Sequence, residues 1–445
     1  MANAHKRYNI DELVIQGELT QDPARIEGEI VDFYKKLYTG TTNWRHAYTD
    51  ANCPGLTEEE KENLQRNFEE SEVLKCLKMC AIDKAPGPDG FTMGFFLKCW
   101  EVVNEDIMKA FQNFYEQEVF ERSLNATFIT LIPKKKGAKE LRDFRPISLI
   151  GSIYKLFAKV LTERMKGVMA KLVDSRQMAF IQGRQIMDAM LIANEAVDSR
   201  QKQNKPKAKE TRNTFAERGL RQGDPLSPFL FLFAMEGLNN MIKSTKVRGW
   251  LRGFEVSRPE VDNVEITHLQ YADNTLILCD ADEGQLKMLR VILVLFEGFS
   301  GLHINWRKSH LYPINEVHNM EALNAVLGGE IGALPTSYLG MPLGAKSQSY
   351  EIWNNVVEKC EMKLARWKSQ YLSRGGRLTL INSVLDPLPT YMMSVFPFPK
   401  SVITRLDKIR RNFFWQGNSE RKGYNLVKWD AVIVGKKRGG LRIRN

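Results

Sequence analysis

Long apolar runs are missing from this sequence of 445 residues. No stretch approaches the roughly 20 consecutive apolar residues that a helix needs to cross a bilayer. The first ten residues, MANAHKRYNI, lack the apolar segment of a secretory signal peptide. Internal repeats and low-complexity segments are missing as well. We therefore expect a soluble intracellular protein without a membrane partner, built from two or three domains of ordinary size.

Cysteine is scarce, with six residues scattered over the whole chain. Such spacing predicts reduced thiols and argues against a disulfide framework. Cys76 and Cys80 lie four residues apart in a segment with helical periodicity, but zinc needs about four ligands and no further His or Cys pair is nearby. We therefore interpret both thiols as packing residues.

The charge is unevenly distributed along the chain. Residues 1–120 contain 13 Lys and Arg against 22 Asp and Glu, a net charge of −9, whereas residues 121–445 contain 51 against 31, a net charge of +20. A basic body attracts polyanions, of which nucleic acid is the commonest, although solvated Lys and Arg that merely maintain solubility are the alternative. Nucleic acid is the expected partner.

The spacing of apolar residues predicts a helix-rich α/β (α+β) protein. Helices are expected over residues 24–38 and 57–80 and in a stretch that ends near Gln117. The run ATFITLIPKKK, residues 126–136, predicts a strand with lysines at its tip. The sequence SGLHINWRKSHLYPI predicts a short hairpin. We divide the chain into an N-terminal helical extension (1–80), a mixed central region (81–345) and a basic helical C-terminal region (346–445).

One polar segment interrupts this pattern. Residues 200–217, RQKQNKPKAKETRNTFAE, include Pro206 and no apolar run that could form a buried strand. We interpret the segment as an exposed basic loop. The alternative is a nuclear localisation signal over residues 202–209, which would place the protein in the nucleus.

The sequence LQYADNTLILC, residues 269–279, predicts a hairpin. Its two flanks are typical of strands, and the polar pair Asp273–Asn274 is typical of the tight turn between them. A carboxylate at such a turn can bind a metal ion. Polymerases that bind two metal ions often have two adjacent carboxylates there, and this chain has Asn274 at the second position.

The order of seven motifs resembles the reverse transcriptase of LINE-type (non-LTR) retrotransposons, closest to the plant type. The motifs are KAPGPDGF, TLIPKKKG with FRPISL, QMAFIQGRQIMDA, RGLRQGDPLSPFLF, YADN, GLHINWRKS and YLGMPLG. The resemblance implies a right-hand fold, with fingers and palm over residues 81–345 and a thumb over residues 346–445. It also implies the copying of RNA into DNA with two Mg²⁺ ions, on an RNA template and a DNA primer.

The resemblance assigns roles to individual residues. It makes Asp273 the catalytic metal ligand and Asn274 a degenerate catalytic position. The residues that it assigns to nucleotide or template binding are Lys134, Arg145, Gln222, Gly223, Asp224, Tyr271 and Lys308. The turn Tyr338–Gly344 matches a turn that holds the primer end in the family. Taken alone, Gly223 would let the backbone approach a ligand, whereas Asp224 could instead cap the next helix.

Two departures from the family predict an incomplete palm. The family has a second aspartate on a strand that precedes RGLRQGDP, but residues 200–217 contain no aspartate, so we expect that strand and its helix to be missing. Mg²⁺ needs several oxygen ligands and prefers carboxylates to the amide of Asn274. Asp198, within a helical pattern, is a poor substitute. Asp273 alone should be insufficient, and Mg²⁺ should not be productively bound.

These departures leave three hypotheses: an inactive reverse transcriptase by descent, a non-catalytic nucleic-acid-binding remnant, or a product that folds poorly. A missing strand would expose the hairpin edge, so we expect aggregation and a thumb that folds more independently. In the thumb, Phe413, Phe414 and Trp415 could stack on bases or, equally, form a helix core. The abrupt change near Asn204 could also reflect a gene segment wrongly treated as an intron.

Overall fold

The computed structural model describes residues 10–39, 55–202, 207–215, 220–258, 261–346, 349–366, 372–416, 427–441 and 443. Its helices are α1 (Pro23–Tyr38), α2 (Glu58–Gln65), α3 (Glu70–Met79), α4 (Met93–Lys98), α5 (Trp100–Gln117), α6 (Ser152–Leu172), α7 (Ile186–Lys202), α8 (Ser227–Val247), α9 (Glu283–Ser300), α10 (Met320–Leu327), α11 (Asn354–Arg366), α12 (Arg374–Leu380), α13 (Thr390–Met393), α14 (Lys400–Gln416) and α15 (Trp429–Ile433). Its strands are β1 (Leu13–Ile15), β2 (Glu18–Thr20), β3 (Thr127–Pro133), β4 (Phe144–Ile150), β5 (Lys207–Phe215), β6 (Phe254–Arg258), β7 (Val261–Ile266), β8 (His268–Tyr271), β9 (Asn274–Asp280), β10 (His303–Ile304), β11 (His310–Ile314), β12 (Glu330–Ile331), β13 (Thr336–Tyr338) and β14 (Met341–Leu343). The fold is therefore helix-rich and mixed α/β.

The N-terminal region is less uniformly helical than the sequence predicts. It begins with the paired strands β1 and β2, and the single helix expected over residues 57–80 is divided into α2 and α3. Thr57 and Glu60 form a capping box at the start of α2, with Thr57 N donating to Glu60 Oε2 at 2.7 Å. The predicted helix start is confirmed, whereas its predicted length is wrong.

Cys76 and Cys80 pack within this region as predicted. Cys76 is buried among apolar residues of α3, α5 and α6. The Cys80 thiol donates to the Cys76 carbonyl oxygen at 3.3 Å. Burial raises the pKa of the Cys76 thiol to about 11, because a thiolate is poorly solvated there.

The KAPGPDGF motif forms a compact support for the hairpin of β3 and β4. Gly87 approaches the backbone of Ile150 so closely that a Cβ atom would lie 2.4 Å from the Ile150 carbonyl oxygen. The Asp89 carboxylate accepts a hydrogen bond from Ser152 N, and Ser152 Oγ donates to Phe91 O at 2.6 Å. The motif therefore fixes the junction between β4 and α6.

A central sheet has the strand order β12, β11, β5, β9, β8. β5 pairs antiparallel with β9, from Lys207 opposite Asp280 to Asn213 opposite Asn274, and on its other side with β11. The interpretation of this segment as an exposed loop is therefore wrong for residues 200–202, which end α7, and for residues 207–215, while residues 203–206 and 216–219 lie outside the described residues. Backbone N–H and C=O groups make strand pairing possible without an apolar side-chain pattern, because every non-proline residue has both.

Two other expectations about the sheet are also wrong. β10 and β11 do not pair with each other as a hairpin, since both pair with β5. The edge of the YADN hairpin is not left open, because β9 lies between β5 and β8. The sequence could not show this, because pairing partners are set by distant segments.

The sheet separates two hydrophobic cores. Side chains alternate between the faces of a strand, so Ile277 of β9 packs with α8 and α9, whereas its neighbour Leu276 packs with α7 and the C-terminal helices. Phe413 and Phe414 of α14 lie in this second core. The C-terminal region therefore shares its core with the sheet, contrary to the expectation that it folds independently, and these two aromatic residues are core residues.

Within the described part of the chain, no helix combines the length and apolar character needed to cross a membrane.

Candidate active site at the hairpin of β8 and β9

The hairpin turn consists of Ala272 and Asp273. Tyr271 pairs with Asn274 across the hairpin, so the polar pair predicted for the turn is displaced by one residue and Asn274 begins β9. Ala272 has φ +52°, in the left-handed region that tight two-residue turns require but that residues with a Cβ atom seldom adopt. This turn places Asp273 at the tip of the hairpin.

A glutamine from a distant motif holds this turn in place. Gln177 is 1% exposed, and its Oε1 accepts hydrogen bonds from Ala272 N at 2.9 Å and from Ala179 N at 3.1 Å. Backbone hydrogen bonds of 3.0 Å from Met178 N to Gln270 O and 2.9 Å from Gln270 N to Arg176 O attach the same segment to β8. Sequence reasoning did not identify Gln177, although it belongs to the QMAFIQGRQIMDA motif.

The segment around Gln177 is itself fixed by Arg184. The guanidinium of Arg184 donates to the carbonyl oxygens of four residues: Ala170, Val173, Asp174 and Gln177. Three of these carbonyls, those of Ala170, Val173 and Asp174, lie at or just beyond the end of α6, where helical carbonyls lack intrahelical partners. Arg184 thus connects α6 to the support of the turn.

Electrostatic interactions connect the predicted cationic residues: Lys308 acts on Asp273, and Lys308 and Arg145 act on Lys134. Burial raises the pKa of Asp273, whereas its own backbone N–H and the nearby charge of Lys308 lower it, and the net result is a raised pKa. Lys134 has a lowered pKa because of its partial burial and of the positive charges of Lys308 and Arg145. Lys134 Nζ also donates to Arg142 O at 2.8 Å. Lys308 therefore interacts with both Asp273 and Lys134, and Arg145 interacts with Lys134.

The loop of Gln222, Gly223 and Asp224 is attached to β4, the strand that carries Arg145. Gln222 O accepts from Ser148 N at 2.8 Å, and Gly223 has φ +112°. A Cβ atom on Gly223 would lie 3.1 Å from Ser148 O. Glycine is therefore required here both by the backbone angle and by the close approach.

Asp224 is buried and engaged inside this loop. Its carboxylate accepts from Leu226 N at 2.9 Å, Ser227 Oγ at 3.2 Å and Tyr154 Oη at 3.2 Å. Leu226 occupies the N-cap position of α8, so Asp224 ties the turn before the helix without being its N-cap residue.

The turn that the resemblance assigns to the primer end lies between β13 and β14. Tyr338 pairs with Met341, which leaves Leu339 and Gly340 as the loop. The Tyr338 side chain is buried, so the surface of the turn belongs to Leu339 and Gly340.

The side chains at the hairpin do not fit a pair of magnesium ions. Two-metal centres hold their ions about 3.5–4 Å apart and need several carboxylate oxygens. The tip offers the Asp273 carboxylate and the Asn274 amide. In the described part of the chain, no cluster of three or more His, Cys, Asp or Glu side chains is arranged to hold a metal ion. Asp198 lies on α7, where it forms an ion pair with Lys202.

Parts of the chain are similar to known proteins. The family described as "Reverse transcriptase (RNA-dependent DNA polymerase)" matches residues 205–343. The chain is 22% identical to the 149 kDa protein of transposon TX1 from Xenopus laevis, an alignment that covers 90% of this chain and 34% of that protein. It is 26% identical to the Pol polyprotein of the type-1 retrotransposable element R2 from Nasonia vitripennis, over 67% of this chain and 31% of the relative.

A shorter match links the chain to a plant protein. An uncharacterized mitochondrial protein of Arabidopsis thaliana is 45% identical over 58 residues, which is 13% of this chain and 45% of that protein. The chain thus spans about a third of the length of the two retroelement proteins and less than half of the third relative. Residues 205–343 are a reverse transcriptase domain, and the chain is a reverse-transcriptase-like protein related to those of LINE-type, non-LTR retrotransposons.

Proposed function

We propose that the chain binds a nucleic-acid template and primer at the hairpin of β8 and β9 but does not polymerise DNA as written. The observation that carries this proposal is the pairing of β5 with β9, which sets Asn213 opposite Asn274. The strand beside the hairpin therefore supplies no aspartate next to Asp273. Phosphoryl transfer by two metal ions requires more oxygen ligands than this site offers.

Nucleic-acid binding is supported by the charges that remain around the hairpin. Lys134, Arg145 and Lys308 all have exposed side chains. They belong to the part of the chain with a net charge of +20. Lysine and arginine bind phosphates whether or not a metal site is complete. Binding and catalysis can therefore be separated in this protein.

Both alignments with retroelement proteins contain positions that have no residue in this chain. The alignment with the TX1 protein extends over 460 residues but covers 90% of a chain of 445, so about 60 aligned positions have no residue in this chain. The alignment with the R2 protein extends over 359 residues and covers 67% of the chain, which again leaves about 60 unmatched positions. Both relatives therefore contain residues that this chain lacks, while β5 occupies the position beside β9 in this chain.

Primer extension tests the catalytic half of the proposal. The purified chain should incorporate no nucleotide on an RNA template with Mg²⁺ or Mn²⁺, and Asp273→Ala should give the same blank result. Incorporation that disappears in Asp273→Ala would contradict the proposal, because it would show that Asp273 serves a working metal centre.

Salt-dependent binding tests the other half. The affinity for single-stranded RNA should fall with salt, with a slope of roughly −0.7 for each phosphate neutralised. Combined Lys134→Ala, Arg145→Ala and Lys308→Ala substitutions should flatten that slope by up to about 2. Three other exposed lysines on helices, Lys78, Lys109 and Lys287, serve as the charge-matched control.

The two triple variants together decide the location of the binding site. Equal losses in both would place binding on the general basic surface and contradict a site at the hairpin. Deletion of residues 371–445 is not a clean alternative, because it would remove Phe413 and Phe414 from the core that the sheet shares.

A further inference from the structure

The outer side of α9 is apolar although it faces away from the fold. Val291, Val294 and Leu295 are each about half exposed, and Gly298 follows them on the same side of the helix. The inner side of α9 is buried against α8 and the sheet. Surface helices usually have charged or polar residues on their outer side. The outer side of α9 therefore has the character of a surface that another molecule covers.

The residues on this side have the spacing of a helix–helix contact. Lys287, Val291, Val294 and Gly298 follow one another at intervals of four, three and four residues. Two helices pack against each other along a line of residues with this alternation. At 1.5 Å per residue, the line is about 17 Å long. We call these four residues the outer seam of α9, and Leu295 lies beside it.

The charged residues in the middle of α9 are engaged elsewhere in the fold. The guanidinium of Arg290 lies 3.8 Å from the centroid of the Trp306 ring. Glu297 accepts a hydrogen bond from Ile304 N. The structure describes the whole of α9, and these are its two charged residues between the ends of the outer seam. An identical seam could therefore approach the centre of this one without repulsion between like charges.

The apolar surface continues from α9 onto α8. The ring of Phe299 packs on Gly237, where a Cβ atom would lie 3.0 Å from Phe299 Cε2. Phe233 and Leu230, one and two turns before Gly237, are both exposed. A contact along the outer seam alone would bury less than the roughly 800 Å² per partner of a standard interface. The exposed residues of α8 widen the contact, which still suits a weak complex better than a tight one.

A second copy of α9 fits the outer seam in an antiparallel arrangement. With a two-fold axis between Val291 and Val294, each Val291 lies opposite Val294 of the other copy, and each Lys287 lies opposite Gly298 of the other copy. A Cβ atom on Gly298 would meet nothing within 4 Å, so the lysine stem has room there. The lysine ammonium then lies near the C-terminal carbonyls of the other α9, which favour a cation. The exposed ion pair of Lys287 with Glu283 is of the weak surface kind and does not hold the lysine back.

We propose that the chain forms a two-fold symmetric dimer through the outer seam of α9. Such a contact requires a surface that complements itself, and the seam does so in shape and in charge. We expect a dissociation constant in the micromolar range. Each copy has a net charge of +11, so added salt should favour the dimer by screening repulsion. This dependence is opposite to that of nucleic-acid binding, and the dimer requires no bound nucleic acid.

Sedimentation equilibrium of the purified full chain, without nucleic acid, tests this proposal. Between about 1 and about 100 μM, the weight-average mass should rise from that of one copy towards that of two. Combined Val291→Glu and Val294→Glu substitutions should weaken association at least about tenfold, because four carboxylates would meet at the two-fold axis. Combined Val102→Glu and Val119→Glu substitutions, at exposed valines of the N-terminal region, control for the added charge and should associate as the wild type does.

Two further measurements locate the contact on α9. A variant with Val291→Lys and Val294→Lys should also be monomeric, but its equimolar mixture with the Val291→Glu and Val294→Glu variant should dimerise, because each carboxylate then faces an ammonium group. Gly298→Gln should weaken association several-fold, because its side chain takes the space of Lys287. The same substitution should raise the melting temperature in dilute solution, because glycine is a poor helix former. A purely structural effect would not give these opposite signs.

The possible outcomes are distinct. A wild type that stays monomeric at the highest concentration would overturn the proposal and leave the outer seam to an amphipathic helix of another protein. Equal association of the wild type and the double glutamate variant would overturn it, since the contact would lie elsewhere. A mass that rises past two copies without a plateau, or a mixture of the two charged variants that stays monomeric, would contradict the two-fold antiparallel contact. None of these results bears on nucleic-acid binding, which is measured separately.

Discussion

Strand β9 has two neighbours of opposite character. β8 contributes His268, Leu269 and Gln270, all of which are buried, whereas β5 has the polar sequence KAKETRNTF. Both strands nevertheless pair with β9 in a continuous antiparallel register. Strand pairing is possible for both sequences, because nearly every residue has the same backbone hydrogen-bond donor and acceptor. Metal binding depends on particular side chains, so a sheet can be complete in its pairing and still lack a metal site.

The largest loss of stability should come from a substitution in β9, because β5 and β8 both pair with it. Ile277→Ala should lower the free energy of unfolding by about 2–5 kcal/mol, because Ile277 is fully buried and its truncation leaves a cavity. Urea unfolding measures the change. Val264→Ala, at a residue 54% exposed, is the control and should be nearly neutral. Equal effects of the two substitutions would mean that β9 is not central to the core.

The next largest change in stability tests the other neighbour, β8, whose first three residues are buried. His268 is fully buried, its Nε2 lies 2.8 Å from Asn239 Oδ1, and burial lowers its pKa to about 3. In the unfolded chain histidine titrates near 6.5, so between these pH values the unfolded state binds more protons and stability falls on acidification. The loss should approach about 1.4 kcal/mol per pH unit, or about 2 kcal/mol at pH 5.

Urea unfolding of the wild type and His268→Gln from pH 7 to pH 4 measures this contribution. The wild type should lose stability more steeply than the variant below pH 6.5. His303→Gln, at an exposed histidine, should follow the wild type. Parallel curves for the wild type and His268→Gln would show that His268 is not held neutral in the fold.

A third experiment would give β5 and the start of β9 the carboxylate side chains that a metal site needs. Asn213 lies opposite Asn274 in the pairing of β5 with β9, and Asn274 directly follows Asp273 in the chain. Combined Asn213→Asp and Asn274→Asp substitutions should therefore place two carboxylates near Asp273. We expect Mn²⁺ to bind at least about tenfold more tightly, equivalent to about 1.4 kcal/mol.

Isothermal titration calorimetry measures the affinity for Mn²⁺. Combined Asn213→Ser and Asn274→Ser substitutions control for the loss of the amides, and a further Asp273→Ala substitution should abolish the gain. If the two new carboxylates bind Mn²⁺ equally well without Asp273, the ion occupies another site and the register of β5 is not what limits metal binding.

The smallest effect concerns polar atoms enclosed between the strands. Thr275 Oγ1 and the side-chain amide of Gln270 are buried without a hydrogen-bond partner, and the two residues are paired across the hairpin. An unpartnered buried hydroxyl is unfavourable, so Thr275→Val should raise the free energy of unfolding by up to about 1 kcal/mol. The melting temperature of the purified variant measures it. A clear destabilisation would show that the hydroxyl has a partner in solution.

The sequence placed the candidate site residues in ordered motifs, but it did not reveal how the strands of the sheet pair. Asp273, Lys308, Lys134 and Arg145 belong to motifs whose order already associates them, and in the fold Lys308 acts on Asp273 while Lys308 and Arg145 act on Lys134. The support of the turn was not predictable, because Gln177 acts through backbone contacts that no local pattern reveals.

The polar segment before RGLRQGDP shows where local reasoning fails. Propensity and periodicity favour a loop over residues 207–215. β9 and β11 both offer open edges to this segment, and pairing satisfies backbone groups that water would otherwise satisfy. Tertiary context therefore overrides a weak local preference.

The sequence by itself determined which side chains the hairpin can offer: Asp273, Asn274 and a segment without an aspartate over residues 200–217. Chemical identity is a property of the chain and does not change on folding. Only the tertiary structure decided that β5 enters the sheet beside β9 and that Gln177 and Arg184 support the turn. These relations join residues far apart in the chain, and they form because burial and hydrogen bonding are satisfied by whichever groups meet in space.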